Sequence, residues 1–82
     1  MRLKIFVEAD QTYTKDNIEF EIENFPNRPQ KDDLIDLKAF FPKAGFSEGQ
    51  EKLIYDFSYT VEFVVWEKDE QGIYMRVWCA GQ

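Results

Sequence analysis

The sequence has no histidine, a single cysteine and no long apolar run. Each lack closes off a class of protein. Without histidine there is no Cys/His zinc cluster and no imidazole for acid–base or nucleophilic work. Cys79 by itself forms no intrachain disulfide, so packing alone must hold the fold. No stretch approaches the ~20 apolar residues of a membrane span. The opening MRLKIFVEAD reaches Glu8 and Asp10 too soon for the apolar core of a secretory signal. The expectation is a cytoplasmic protein.

Glycine is scarce as well, and its four copies stand apart, so no glycine-rich loop is present to cradle a phosphate. Basic residues are outnumbered. Ten Lys and Arg against sixteen Asp and Glu leave a formal net charge of −6, which repels a nucleic-acid backbone and reads as a solubility device. The acids do not converge into a site either. Glu19, Glu21 and Glu23 alternate along a strand, where spacing splays carboxylates about 6–7 Å apart, and they read as a solvated face. Asp32, Asp33 and Asp36 suit caps and turns. Asp10, Asp16 and Asn17 lack the spacing and central glycine of a calcium loop. Cys79 reads as a small hydrophobe. The expectation is a chain that is not an enzyme and that uses no metal or cofactor.

What the sequence does have is alternation and aromatics. Eighty-two residues make one domain with a thin core, and an aromatic content of 17%, eight of the residues Phe, supplies bulky side chains to fill it. Leu3, Ile5 and Val7 alternate with Arg2, Lys4 and Glu8, and Ile18, Phe20 and Ile22 alternate with three glutamates. These are two half-buried strands, expected to pair antiparallel so that Arg2 and Lys4 meet the glutamates. Arg2 to Glu8 is also a candidate sheet edge. Ala9 to Asn17 reads as a loop. Asp32 to Phe41 fits either period, and the expectation is a strand over about Asp33 to Leu37 with a one-turn helical continuation to Phe41. Pro42 to Gln50 reads as a surface loop. Leu53 to Trp66 reads as one long strand that bends or bulges near Asp56 to Ser58.

The last segment, VEFVVWEKDEQGIYMRVWC, reads as a hairpin. Asp69-Glu70-Gln71-Gly72 suits a type I turn with a left-handed Gly72 bulge, making Asp69 and Ile73 the closing pair. Counting back puts Val61, Phe63, Val65, Ile73, Met75, Val77 and Cys79 on the core face. Val64, Trp66, Tyr74, Arg76 and Trp78 then share the other face. Either the Phe40-Phe41 segment or the Ala9 to Asn17 loop covers that second face, or it is a contact surface, since Tyr, Trp and Arg dominate binding hot spots. A slip of one residue would swap the faces.

The proline-bounded turn RPQKDDLIDL, together with two strands before it and a closing hairpin after it, resembles small SH3-like β-barrels found in many bacterial domains. Pro29, Asp32 and Asp33 match a Pro-x-x-Gly-Asp turn, with Asp32 standing where that pattern has glycine and therefore required to be left-handed. The resemblance implies a fold and no particular function. The expected architecture is all-β or β-dominated: a bent five-stranded antiparallel sheet, or a partly open barrel, with at most one short helix. The expected function is protein–protein interaction or self-association through Trp66, Tyr74, Arg76, Trp78 and Val64. The alternative is an aromatic surface that binds a small ligand or single-stranded nucleic acid.

Overall fold

The computed structural model describes residues 1–82. Five strands form one sheet: β1 (Leu3–Val7), β2 (Ile18–Ile22), β3 (Leu34–Ile35), β4 (Tyr59–Asp69) and β5 (Gly72–Gly81). Their order across the sheet is β2-β1-β5-β4-β3, and the sheet curls into a half-barrel. The sheet is mixed rather than wholly antiparallel, because two of its interior strands, the first and last of the chain, run parallel with Leu3 beside Met75 and Val7 beside Cys79. This also corrects the expectation that Arg2 to Glu8 is an edge. β1 lies between β2 and β5.

The expected antiparallel pairing of β1 with β2 is present, with Lys4 opposite Glu21. Alternation then does the sorting. Leu3, Ile5, Val7, Ile18, Phe20 and Ile22 all point to the concave inner face and are buried. A single one-turn 3-10 helix over Leu37–Ala39 follows the two-residue β3, close to the expected strand with a helical continuation. Asp32 is left-handed, with φ +72°, and its N–H donates to Val61 O at 2.8 Å, which docks the turn against β4.

The inner face is closed by a helix, α1 (Glu48–Asp56), where loop and strand were expected. Its start is a reciprocal cap. The Gln50 N–H donates to Ser47 Oγ at 3.1 Å and the Ser47 N–H donates to Gln50 Oε1 at 2.8 Å. Glu48 and Glu51 in the first turn suit the positive end of the helix dipole. Gln50 is buried, and its side-chain amide also donates to Asn17 O at 3.1 Å, tying the helix to the start of β2. Leu53 and Ile54 enter the core, and the chain turns extended at Phe57. The Tyr59 hydroxyl donates back to Leu53 O at 2.5 Å, joining the end of the helix to the strand that follows.

Gly49 lets the helix approach the Ala9 to Asn17 loop. A Cβ there would lie 2.2 Å from the Tyr13 carbonyl oxygen, a backbone atom with no freedom to give way. Glycine to alanine ordinarily stabilises a helix by up to about 1 kcal/mol. Here Gly49→Ala is expected to destabilise, by about 1–3 kcal/mol for the forced backbone shift. A urea titration checks the sign, and an unchanged or raised midpoint would show that the close approach is absent.

Candidate functional site

Two strands cross the whole molecule, and their pairing decides what the outer, convex face carries. Asp69 pairs with Gly72 around the two-residue loop Glu70-Gln71, not with Ile73 as the turn chemistry suggested. Gly72 does take a positive φ, +114°. The ladder is therefore one residue away from the expected register: Trp66 faces Met75, Val65 faces Arg76, Val64 faces Val77 and Phe63 faces Trp78. Beyond Phe63 the register changes again, since Val61 pairs with Cys79 and leaves Glu62 as an extra residue in β4.

This bulge redistributes the side chains expected on each face. Val61, Met75, Val77 and Cys79 are buried in the core as expected, but Phe63 and Val65 turn outward and Ile73 is 68% exposed near the hairpin tip. Of the five expected contact residues, Tyr74, Arg76 and Trp78 stand together on the outer face. Val64 and Trp66 lie on the inner parity with Val77 and Met75. Val64 packs against the core. Trp66 projects beyond it, half exposed, with the Arg28 guanidinium 5.6 Å from its ring.

The outer face has two halves. Next to the hairpin turn lies an ionic half built on β1 and β5. Arg2 Nη2 donates to Asp69 Oδ1 at 2.6 Å, and Lys4 Nζ bridges Asp69 Oδ2 at 3.4 Å and Glu21 Oε1 at 3.7 Å. Tyr74 is buried beneath these cations, with Lys4 Nζ 4.2 Å and Arg2 Cζ 5.0 Å from its ring centre. Its hydroxyl donates to Glu67 Oε1 at 2.5 Å, and Arg76 Nε donates to the same oxygen at 2.9 Å. Arg76 Nη1 reaches across β1 to Glu19 Oε1 at 3.1 Å.

These contacts set the charge states. Hydrogen bonds from Tyr74 and then Arg76 hold the Glu67 carboxyl below its usual range, and the Arg2 guanidinium holds Asp69 at about 2. The partners respond in kind. Arg2 beside Asp69, and Arg76 beside Glu67, are raised. In the core, burial pushes the Cys79 thiol and the Tyr59 hydroxyl each up to about 12.

The other half is aromatic. Phe63 stacks on Trp78 with ring centres 4.4 Å apart and planes 16° off parallel, and Phe6 lies 6.2 Å from the indole on its far side. Arg76 closes one flank, 5.7 Å from the Trp78 ring. Neither segment expected to cover this face does so. Phe41 packs against Phe20 and Phe46 in the inner layer, Phe40 against Phe25, and Tyr13 of the Ala9 to Asn17 loop against Phe57. Phe63 is left 46% exposed and Val65 is also exposed. Phe6 and Phe63 were missed as site residues. The signal for Phe6 was its break in the β1 alternation, whereas Phe63 was hidden by the bulge.

A depression of about 460 Å³ opens where β1 leaves the sheet after Val7, beside the last residues of β5, which pair with β4 alone. Leu53, Phe57, Tyr59 and Cys79 line it with the acids Glu8, Asp10 and Glu62. No helix is long and apolar enough to cross a membrane. Compared with protein-family models, curated proteins and solved structures, the chain matches none.

The charge states dictate how stability depends on pH. Asp69 and Glu67 have folded values below their unfolded ones, so their contribution is complete above the ordinary carboxylate range and is lost as pH falls from about 4 through 2. Cys79 and Tyr59 are raised, so the fold weakens as pH climbs from about 9 towards 12 while the unfolded chain ionises first. Urea midpoints should be flat between about pH 5 and 8 and fall on both sides. Asp69→Asn should flatten the acid limb. An acid limb of unchanged steepness in that variant would place the acid sensitivity elsewhere.

Proposed function

We propose that this chain is a non-catalytic interaction module whose aromatic row, Phe6, Trp78 and Phe63, packs against another polypeptide. The observation that carries the reading is the Phe63–Trp78 stack, an aromatic pair on the outer face in which Phe63 stays exposed. Large rigid aromatics bury much apolar area at little cost in side-chain entropy, and with arginine they dominate interface energetics. Arg76 beside Trp78 supplies that second ingredient at the edge of the row. The charge states support the non-catalytic part. Every group whose pKa moves strongly is driven away from neutrality, whereas a proton-transfer residue works best when tuned towards the working pH.

Kinship with SH3-like bacterial barrels belongs to this proposal. The half-barrel outline and the left-handed Asp32 favour it, and the parallel β1–β5 pair and the nine-residue helix depart from it. A cytoplasmic working place is part of the same reading, favoured by a lone buried thiol that needs no oxidising compartment. The 460 Å³ depression favours a second reading, a small-ligand binder, because its volume falls in the range of known ligand pockets. Glu8, Asp10 and Glu62 around it suit a cationic or neutral ligand and oppose a nucleic acid.

The test of the interaction reading isolates Trp78 by replacing Trp66 with Phe and measures iodide quenching alongside sedimentation velocity over a wide concentration range. Trp78 is expected to be quenched in the dilute monomer. Protection that grows with concentration would identify a second copy as partner, and Phe63→Ala should then weaken association by about tenfold or more. A protected indole in a strict monomer would end the proposal.

A further inference from the structure

The sheet has two edges, and they are treated differently. β3 is two residues long, too short to template a further strand. β2 is five residues long, contains no proline and is paired regularly along its whole length with β1. Its outward hydrogen-bonding groups can be assigned from the ladder. Met75 N donates to Arg2 O, so Arg2, and by alternation Lys4 and Phe6, direct their backbone groups towards β5. Leu3, Ile5 and Val7 therefore bond to β2, through Ile22, Phe20 and Ile18. The N–H and C=O groups of Glu19 and Glu21 point away from the sheet, and no turn, loop or side chain of the protein bonds to them.

The side chains on this edge specify what could pair with it. On the outer face Glu19 and Glu21 are exposed, and only their β1 side meets cations, Arg76 and Lys4. On the inner face Phe20 packs edge-on against Phe41 at 5.5 Å. A second copy is a poor fit. Antiparallel pairing of two β2 strands about Phe20 sets Glu19 opposite Glu21 twice over, and like charges directly opposite one another destabilise a sheet. A net charge of −6 on each chain adds to that repulsion.

We infer that the free edge of β2 accepts an extended segment of another protein in which basic and apolar residues alternate. The main-chain groups of Glu19 and Glu21 supply the ladder. Basic side chains repeat on the open flank of these glutamates what Lys4 does from β1, and an apolar side chain beside Phe20 extends the inner layer. The inference does not rest on the aromatic row, and the two surfaces are separable.

The experiment adds a peptide of four Lys-Val repeats to the full, isotope-labelled chain and follows amide hydrogen exchange residue by residue. A peptide of four Lys-Pro repeats carries the same charge but lacks half of the backbone donors. The Lys-Val peptide is expected to slow exchange at the Glu19 and Glu21 amides by about tenfold or more, with little change at Ile18, Phe20 and Ile22, which are already bonded. The Lys-Pro peptide should leave all five alone, and Glu19→Lys with Glu21→Lys should abolish the Lys-Val effect. Equal protection by both peptides, or none by either, would overturn the inference. So would protection of Glu19 and Glu21 that follows protein concentration alone, which would make a second copy the occupant. Shifts confined to Phe6, Phe63 and Trp78 would overturn it too, while leaving the aromatic row as the binding surface.

Discussion

One extra residue in a strand decides the character of this molecule's surface. Glu62 is inserted between Val61, which pairs with Cys79 in the core, and Phe63, which pairs with Trp78 outside it. A bulge of this kind shifts the parity of everything beyond it. In an unbulged ladder that kept the Val61–Cys79 pairing, Phe63 and Val65 would continue on the core parity and Val64 and Trp66 would join the outer face. With the bulge, Val64 reaches the core and the outer face gains a stacked Phe63–Trp78 pair. Half of the long β4 strand thus serves packing, and the other half presents aromatic surface.

The rest of the outer face shows why that surface stays where it is. Tyr74, two residues before Arg76 and four before Trp78 on the same face of β5, is roofed by Arg2 and Lys4 and tied through its hydroxyl to Glu67. Cations, acids and an aromatic ring satisfy one another there between β1, β5 and β4. Exposed ion pairs contribute little stability individually. Their effect here lies in geometry: Arg76 and Glu19 fence the aromatic row on the flank where the ionic half begins. Glu19 also lies on the open edge of β2, so this one acid borders two candidate contact surfaces.

Much of the fold was legible because period-2 alternation survives any tertiary context that leaves one face wet. The strand at Ile18 to Ile22 and its pairing with β1 through Lys4 and Glu21 follow from alternation and charge, and the hairpin is placed by its turn residues. The short strand with a one-turn helix after Asp32 was a choice between two periods that the residues fit equally. Alternation says nothing of strand direction, which is why the parallel β1–β5 pair, a contact between the two ends of the chain, was not foreseen. The helix was hidden because Tyr55 and Phe57 continue the parity of Tyr59 and Val61. The contrary signal was Ser47-x-x-Gln50, a capping pair followed by the adjacent buried Leu53 and Ile54, a pattern a strand with one wet face would not show. The candidate site was half legible. Arg76 and Trp78 were found, but the turn closed one residue short of the expected pair, and nothing in the local sequence announces a bulge at Glu62.

The bulge is thus the claim on which the aromatic surface stands, and aromatic-to-methyl distances in solution test it most directly. Nuclear Overhauser contacts from the Phe63 ring should run to the Trp78 indole and to none of the methyl groups of Ile5, Val61 or Val77. Contacts from Phe63 to those core methyls, with Val64 placed beside Trp78 instead, would mean that β4 keeps its parity past Glu62 and that the outer face carries a different set of residues.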